Sequence, residues 1–235
     1  MGAISSQTTK GFLELVGYKV LAFDKISSTQ TYAHDLIASG GARDHTAIIA
    51  QAQYAGRGRY RRTWVSHHGN LYVSFIFDAE TRDSRLAYAV AVAIVDTLLS
   101  FDISSEIKWP NDILIEGKKV AGVLIEYSGP FVIVGIGINV GTNPTVPEYK
   151  TTKLDNYAKV ELMDLFDTLA KNLDKWMGAD FQDVRKQWMA AATGLNKQVK
   201  YRSKMVELVG INDEGALVVR QDGEYVLIHG DEIFI

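Results

Sequence analysis

The chain has 235 residues, enough for one large domain or for a large and a small domain, and this length excludes a single small module. Hydrophobic residues make up 47% and charged residues 23%, which is ordinary globular usage and excludes a disordered or fibrous chain. The formal net charge of −3 gives no sequence-wide reason to expect binding to nucleic acid or to an acidic membrane.

The cysteine count and the apolar stretches predict the compartment. The sequence contains no cysteine, which excludes disulfides and thiolate metal sites. The first residues lack the apolar run of a secretory signal. The most apolar stretch, residues 86–99, is too short to span a bilayer and carries Asp96. We therefore expect a cytoplasmic protein without membrane association, with residues 86–99 as a buried helix.

The first half of the chain predicts strands and a helix that start at Tyr18, because residues 1–17 show no clear hydrophobic period. A Ser-Ser-Thr run can cap the helix, and a Gly-Gly pair can end it. The predicted elements are a strand over 18–23, a helix from Ser28 or Thr29 to about Ser39, and strands over 46–53 and 71–77. A loop rich in arginine and glycine separates the last two strands.

The middle of the chain predicts more strands and two amphipathic helices. Pro110 breaks a strand, and Glu116-Gly117 is typical of a hairpin turn. Apolar side chains at helical spacing predict the two later helices, which should cover one face of the sheet. The predicted elements are strands over 107–109, 113–115, 119–126 and 131–139, and helices over 162–176 and 181–188.

Past Gly194 the composition changes to short strands with tight turns, and Asp222-Gly223 is typical of a hairpin. The predicted strands cover 198–201, 205–209, 216–220, 225–228 and 233–235. Five short strands in about 40 residues are typical of a small β-barrel. The sequence thus predicts an α+β fold, with a mixed sheet packed by helices over residues 1–193 and a small barrel over residues 194–235.

The most unusual local feature is the loop over residues 55–64, with four arginines and two glycines in ten residues. Glycines let the backbone approach a ligand closely, and arginine forks match phosphate or carboxylate oxygens, so the loop favours anion binding. A solvated basic loop and an RNA-contacting segment are the alternatives. The loop is not a Walker loop, because the Gly-Lys-Ser/Thr ending is absent.

Three further segments each give only a modest indication of function when taken alone. Residues 108–126 contain a Trp-Pro-Asn-Asp turn followed by paired lysines, which is also what a charged hairpin end would show. Residues 26–30, Ile-Ser-Ser-Thr-Gln, form an ordinary helix cap unless the hydroxyls face a ligand. Residues 134–139 place two glycines inside a strand, where they commonly mark close approach of a ligand or of another backbone.

Taken together and in this order, the four segments resemble the biotin–protein ligase family over roughly residues 18–141. The resemblance rests on the arginine-glycine loop, Lys-Trp-Pro-Asn-Asp, the paired lysines with Ala121-Gly122, and Gly-Ile-Asn at 137–139. It implies a biotin–[biotin carboxyl carrier protein] ligase that uses biotin, ATP and Mg²⁺. It also implies a class II synthetase-like catalytic domain with an SH3-like C-terminal barrel. Some members carry an N-terminal helix-turn-helix, for which we expect no room before Tyr18.

The resemblance also implies roles for individual residues. Biotin contacts fall on Ser28, Thr29, Gln30, Gln53, Gly56, Arg57, Gly58, Arg59, Lys119, Gly122 and Gly137. ATP contacts fall on Arg57, Arg59, Arg62, Trp64, Asn111, Lys119 and Asn139, with Trp64 stacked on adenine and Asn111 reading its edge. Lys119, Arg57 and Arg59 are the catalytic cations, and Asp112 is our candidate to orient the acceptor lysine or Mg²⁺. No metal ligands are assigned.

Two residues depart from the family pattern. Gln30 stands where the family usually has asparagine, which puts one biotin contact in doubt. Arg61 stands where many members have a further glycine, which predicts a stiffer loop. Neither departure removes a charge that the mechanism needs.

Other functions remain compatible with the sequence. A lipoate ligase or octanoyltransferase has a related fold and acylates a similar carrier lysine. A non-enzymatic RNA-binding module would explain the basic loop, and His67-His68 could have a structural or metal-binding role. The expected partner is a biotin carboxyl carrier protein or domain of a carboxylase, with no nucleic acid. An exposed edge strand could pair in a homodimer or remain free.

Overall fold

The structure, a computed structural model, describes residues 9–229 and 233–234. The first strands and helices are β1 (Thr9–Leu15), β2 (Tyr18–Ile26), α1 (Thr29–Ala38), β3 (Thr46–Gln53), β4 (Leu71–Asp78) and α2 (Leu86–Leu99). They are followed by β5 (Glu106–Lys108), β6 (Asp112–Ile115), β7 (Lys118–Ser128), β8 (Phe131–Ile138), α3 (Leu162–Met177) and α4 (Phe181–Ala191). The last are β9 (Gln198–Tyr201), β10 (Lys204–Ile211), β11 (Leu217–Gln221), β12 (Glu224–Ile228) and β13 (Ile233–Phe234).

Most predicted elements are confirmed within a few residues, and α2 matches its prediction at both ends. Helix α1 begins after Ser28, which has the extended backbone of an N-cap but makes no side-chain cap hydrogen bond. The chain leaves α1 through Gly40, whose φ of 72° is left-handed and therefore favours glycine. The end of the last predicted strand, Ile235, lies outside the described residues.

Strand β1 corrects the prediction that structure begins at Tyr18. It pairs antiparallel with β2, and Val16 and Gly17 turn the chain with φ values of 46° and 85°. The register shifts between Thr9 and Gly11. An edge strand is held by the backbone ladder to a single neighbour, so it can form without the hydrophobic alternation by which strands are recognised in a sequence.

The chain divides into two compact units, of which unit 1 contains the described residues up to Arg82 together with Lys118–Asp167. Its strands lie in the order β1-β2-β3-β4-β8-β7. The pair β2-β3 is parallel and the other pairs are antiparallel, so the mixed sheet is confirmed. Helix α1 packs on β3, β4 and β8. Phe166, at the start of α3, stacks on Phe75 of β4 at 5.8 Å between ring centres.

Unit 2 contains Asp83–Gly117 together with the described residues from Thr168 onward. Helix α2 packs on the antiparallel pair β5-β6 and on α4. The five C-terminal strands form an antiparallel sheet in the order β12-β11-β10-β9-β13. Asp222 and Gly223 turn the β11-β12 hairpin with φ values of 54° and 89°, as predicted.

The predicted α+β class is therefore confirmed, with an antiparallel sheet of five short strands at the C-terminus. The predicted boundary between residues 193 and 194 stays a prediction. Within residues 9–229 and 233–234, no helix has both the length and the apolar content that crossing a membrane requires.

Candidate active site

The centre of the candidate site is a pair of glycines on neighbouring strands. Gly122 on β7 and Gly137 on β8 lie opposite each other in the antiparallel ladder. The indole of Trp64 rests on this pair. A Cβ atom at Gly137 would lie 2.5 Å from Trp64 Nε1, and one at Gly122 would lie 2.9 Å from the indole ring. The two glycines thus form a flat floor, because any side chain would fill the space that the ring takes.

Lys119 lies beside this floor. Its Nζ is 5.2 Å from the centre of the Trp64 ring and 5.0 Å from that of Tyr149, so two aromatic faces attract the ammonium. The backbone of Lys119 bridges to the segment that carries Tyr149, through hydrogen bonds with Lys150 and Thr152. The structure therefore brings the predicted residues Trp64, Lys119, Gly122 and Gly137 together, and it adds Tyr149, which the sequence analysis did not identify.

Thr29 and Gln53, both predicted to contact biotin, are joined by hydrogen bonds. The Thr29 backbone N–H donates to Gln53 Oε1 at 2.8 Å, and the Thr29 hydroxyl lies 3.3 Å from the same oxygen. Gln53 Nε2 donates to the Ser66 hydroxyl at 2.8 Å. Gly56 lies against this group, since a Cβ there would overlap the Trp64 carbonyl oxygen. The loop backbone and the Gln53 amide are therefore packed closely together.

Gln30 is 3% exposed and both ends of its amide have partners. The Ser74 hydroxyl donates to Gln30 Oε1 at 2.9 Å, and Gln30 Nε2 donates to Glu126 Oε2 at 3.0 Å. A Cβ at Gly135 would lie 2.5 Å from Gln30 Oε1, so that glycine makes room for the amide. The biotin contact predicted for Gln30 stays a prediction, while the structure shows it bonded within the protein.

The carboxylate of Glu126 on β7 accepts hydrogen bonds from three side chains, which come from two other parts of unit 1. Arg57 Nη2 donates to Oε1 at 2.6 Å, and His34 Nε2 joins Gln30 on Oε2 at 3.0 Å. Burial, the largest single influence, raises the pKa of Glu126. The hydrogen bonds from His34 and Gln30 and the positive charge of Arg57 outweigh it, so the pKa lies below its usual value. Glu126 is therefore a carboxylate near neutral pH.

The other loop arginines lie against Tyr60. The guanidinium carbons of Arg59 and Arg62 lie 4.9 and 5.8 Å from the centre of its ring, and the ring is exposed. Tyr60 and Arg61 have φ values of 53° and 60°. The left-handed backbone at Arg61 is the conformation that glycine adopts without cost. Gly58 precedes this turn.

Asn139 follows strand β8, and its Nδ2 donates to the Thr152 carbonyl at 3.0 Å. The chain after it is held by Asn70, which the sequence analysis did not identify. Asn70 Oδ1 accepts the backbone N–H groups of three consecutive residues, 140–142, at 2.8–3.1 Å. Asn70 Nδ2 donates to the Tyr72 hydroxyl, and burial raises the pKa of Tyr72 to about 12.

Three predicted site residues each hold a buried polar atom without a hydrogen-bond partner. These are Ser28 Oγ, Trp64 Nε1 and Asn139 Oδ1. A buried polar group without a partner is costly, and native proteins keep few of them. A ligand that satisfied these atoms would remove that cost.

Asn111 and Asp112 belong to unit 2, and their predicted ligand contacts stay predictions. Asp112 opens β6 opposite Lys108 of β5. The preceding Trp109 is buried, and its Nε1 donates to the Tyr88 hydroxyl at 3.1 Å. That hydroxyl donates in turn to the carbonyl of Gly215 at 2.7 Å. The Trp-Pro-Asn-Asp turn is therefore tied to α2 and to a turn of the C-terminal strands.

A mixed sheet with a glycine floor, a lysine beside it and an arginine-rich loop is an arrangement suited to binding a small anionic ligand. The model of the biotin/lipoate A/B protein ligase family matches residues 22–143, and the chain belongs to this family. The resemblance found in the sequence is thereby confirmed.

Three relatives make the likeness specific. The chain is 30% identical to the bifunctional ligase/repressor BirA of Bacillus subtilis, over 94% of this chain and 75% of that protein. It is 30% identical to a biotin–[acetyl-CoA-carboxylase] ligase of Paracoccus denitrificans, over 87% of this chain and 96% of that one. The biotin protein ligase of Aquifex aeolicus, solved with biotin and ATP, matches with a TM-score of 0.79 and 26% identity. That match covers 91% of this chain and 97% of the other.

Proposed function

We propose that the chain is a biotin–protein ligase that activates biotin with ATP and transfers it to a lysine of a carrier protein. The observation that carries the proposal is the convergence of Trp64 and Lys119 on the floor formed by Gly122 and Gly137. These residues come from separate segments of the sequence, and each was assigned to biotin or ATP before its position was known. The relatives that bear ligase names are biotin ligases, so lipoate or octanoyl transfer is not favoured.

In the first step, a biotin carboxylate oxygen attacks the α-phosphorus of ATP. A phosphorus–oxygen bond forms, the bond to the β-phosphate breaks, and pyrophosphate leaves biotinyl-5′-adenylate behind. Two anions must approach each other, and fixed positive charge lowers the cost of this approach most in the transition state. Lys119 supplies that charge beside the floor, and the loop arginines Arg57, Arg59 and Arg62 supply it from above.

The two ends of biotin need different surroundings. Its aliphatic chain lies on the glycine floor, while the polar ureido head group of its fused rings meets Ser28, Thr29 and Gln53. The unpartnered Ser28 hydroxyl supports this placement, because it is buried and has hydrogen-bonding capacity to offer. With biotin on the floor, Trp64 moves away from Gly137 and presents its face to adenine. Asn139 Oδ1 is a further acceptor for the nucleotide.

In the second step, the amine of the acceptor lysine attacks the carbonyl carbon of the adenylate. A carbon–nitrogen bond forms, the bond between the carbonyl carbon and the phosphate oxygen breaks, AMP leaves, and the proton of the amine goes to solvent. Asp112 orients the amine. The acceptor belongs to the biotin carboxyl carrier protein or domain of a carboxylase, as the ligase names of the relatives indicate. The proposal includes no nucleic-acid partner and places the protein in the cytoplasm. A homodimer would use an exposed edge strand as its contact surface.

Magnesium is not assigned a protein site. Among the residues that the structure describes, no three histidine or carboxylate side chains are grouped so as to hold a metal. This holds for the His67-His68 pair as well. The residues present do not fit a dedicated magnesium site, so no step is derived through the ion.

The test is biotin-dependent exchange of labelled pyrophosphate into ATP, which reports the first step without any carrier protein. Wild-type protein should catalyse exchange with biotin and show at least an order of magnitude less with lipoate. Exchange that needs lipoate rather than biotin would assign the chain to the other branch of its family. Absence of exchange with either acid would refute the ligase proposal.

A further inference from the structure

We propose that Glu126 is a positioning residue for the ligase reaction, one that holds the Arg57 guanidinium in place and connects it to the residues assigned to the biotin head group. This inference rests on the proposed function. Glu126 is the last residue of the segment 108–126, to which the sequence resemblance assigns no role at that position, and its role follows from the contacts of its two carboxylate oxygens.

The two oxygens of Glu126 are used differently. Oε1 receives Arg57 Nη2 at 2.6 Å, while Oε2 receives Gln30 Nε2 and His34 Nε2 at 3.0 Å each. Gln30 and His34 are one helical turn apart on α1 and therefore project from one side of the helix. With donors on both oxygens and from two elements, the carboxylate is held in place, and it restrains the position of the guanidinium that it binds.

The hydrogen bonds continue beyond Glu126 to the biotin side of the site. The Gln30 amide is hydrogen-bonded to Glu126 at one end and to Ser74 at the other. The Ser74 hydroxyl lies 2.9 Å from Thr29 Oγ1, and the Thr29 backbone N–H is hydrogen-bonded to Gln53. Ser74 is fully buried, so this chain of side chains runs through the protein interior. Hydrogen bonds in a buried chain depend on one another, because a partner lost at one end leaves a polar group unsatisfied further along.

Arg57 keeps the capacity to bind a ligand while it is held. A guanidinium has five N–H donors, and the ion pair uses one terminal nitrogen. The Arg57 side chain is 39% exposed, so an anionic ligand can approach it. Without Glu126 the guanidinium would become ordered only when the ligand binds. The entropic cost of this ordering would weaken ligand binding and transition-state stabilisation.

The decisive variant is Glu126→Gln, which keeps the shape of the side chain and removes its charge. The kcat/KM for biotin in pyrophosphate exchange should fall about tenfold, the size of effect typical of a lost hydrogen bond to a charged group. In a chain that already carries Arg57→Ala, the same substitution should change kcat/KM less than about twofold, because its partner is gone. Glu126→Asp, which keeps the charge on a shorter side chain, should recover part of the loss.

Glu207→Gln is the matched control. It removes another carboxylate that binds an arginine, Arg220 at 2.5 Å, on β10 and β11, and it should leave exchange unchanged. A second readout needs no catalysis: trypsin should cut the ligand-free Glu126→Gln protein after residues 57–62 several times faster than wild type, and Glu207→Gln should not.

The outcomes separate the two proposals. If the wild type shows no biotin-dependent exchange, the proposed function fails. If the wild type is active but Glu126→Gln matches it, or if the two substitutions act additively, the positioning role is refuted. Unchanged trypsin cleavage in Glu126→Gln would likewise show that the carboxylate does not hold the loop.

Discussion

The indole of Trp64 lies so close to Gly137 that a single added methyl group on the glycine would collide with Nε1 at 2.5 Å. That nitrogen is buried and has no hydrogen-bond partner. The residue assigned to adenine therefore lies on the floor assigned to biotin. We expect biotin to displace the ring when it binds and the displaced ring to become available to the nucleotide.

Trp64→Ala should consequently weaken ATP binding more than biotin binding. Biotin would no longer have to displace the indole, which offsets part of the lost contact. ATP would lose a stacking partner worth about 1–3 kcal/mol per base. Calorimetry with each ligand alone, and with ATP after biotin, measures the two effects. Equal losses for both ligands would mean that Trp64 only supports the loop.

Lys119→Ala should nearly abolish adenylate formation and leave the fold intact. A charge fixed beside two converging anions contributes about 3 kcal/mol in a water-excluded site, so exchange should fall by about two orders of magnitude. Lys118→Ala is the paired control and should be close to wild type, because successive side chains of a strand point to opposite faces. The reverse order of effects would show that the two assignments are interchanged.

Arg59→Gly should still form the adenylate but release it. An acyl adenylate reacts with any accessible amine, so a selective ligase must enclose it until the correct lysine arrives. The loop over residues 55–64 is the evident cover, and its arginines favour the closed form when an anion binds. Arg59 is stacked on Tyr60 and donates to its hydroxyl at 3.1 Å. Its removal takes away one of the cations that an anionic ligand would draw toward it, and it spares Lys119.

The measurement is biotin appearing on an unrelated protein supplied in excess. Arg202→Gly is a matched control, because Arg202 also stacks on a neighbouring tyrosine, at 5.1 Å, and has a φ of 53° that glycine tolerates. Biotin with ATP should also suppress trypsin cleavage within residues 57–62 of the wild type. Labelling confined to the proper carrier, with cleavage indifferent to ligands, would make the loop a static phosphate clamp.

The stabilising effect of Glu126 should depend on pH in a defined direction. Its folded-state pKa lies below the ordinary value of 4.5, through His34, Gln30 and Arg57. The contribution is therefore fully present above pH 4.5 and is lost as the pH falls through the folded-state pKa. The free energy of unfolding of the wild type should exceed that of Glu126→Gln at neutral pH, and the difference should shrink below pH 4.5. Urea unfolding across this range tests it, and a difference that grows in acid would contradict the assignment.

Asn70→Ala should destabilise unit 1 by about 2–3 kcal/mol. The substitution removes the acceptor for three backbone N–H groups at residues 140–142, and buried donors without an acceptor are costly. Asn70→Asp keeps the acceptor and should recover much of the loss. Urea unfolding of the three proteins gives the values. Equal stability of the alanine variant and the wild type would mean that water replaces the amide oxygen.

Sequence patterns identified the parts of the site that are continuous along the chain. The loop at 55–64 and the segment around Lys119 each carry their chemistry within about ten residues, so their composition was informative. Glu126 and Gln30 lie 96 positions apart, and only the strand order brings them together. Ser74 was detectable in principle, as the one serine or threonine in the apolar run of β4, but nothing in the sequence shows which amide it meets.

Ser74 also influences the register in which the strands of the sheet pair. On β4 it lies opposite Ile48 on one side and Gly135 on the other, and its neighbour Phe75 points to the opposite face. A shift of β4 by one residue would place the Phe75 ring against Gln30. It would also leave the Ser74 hydroxyl among the aromatic side chains of the other face, without a hydrogen-bond partner. Aliphatic strands alone would tolerate several alignments with similar burial. One hydroxyl in the middle of the sheet makes the misaligned forms costly while the chain is still folding.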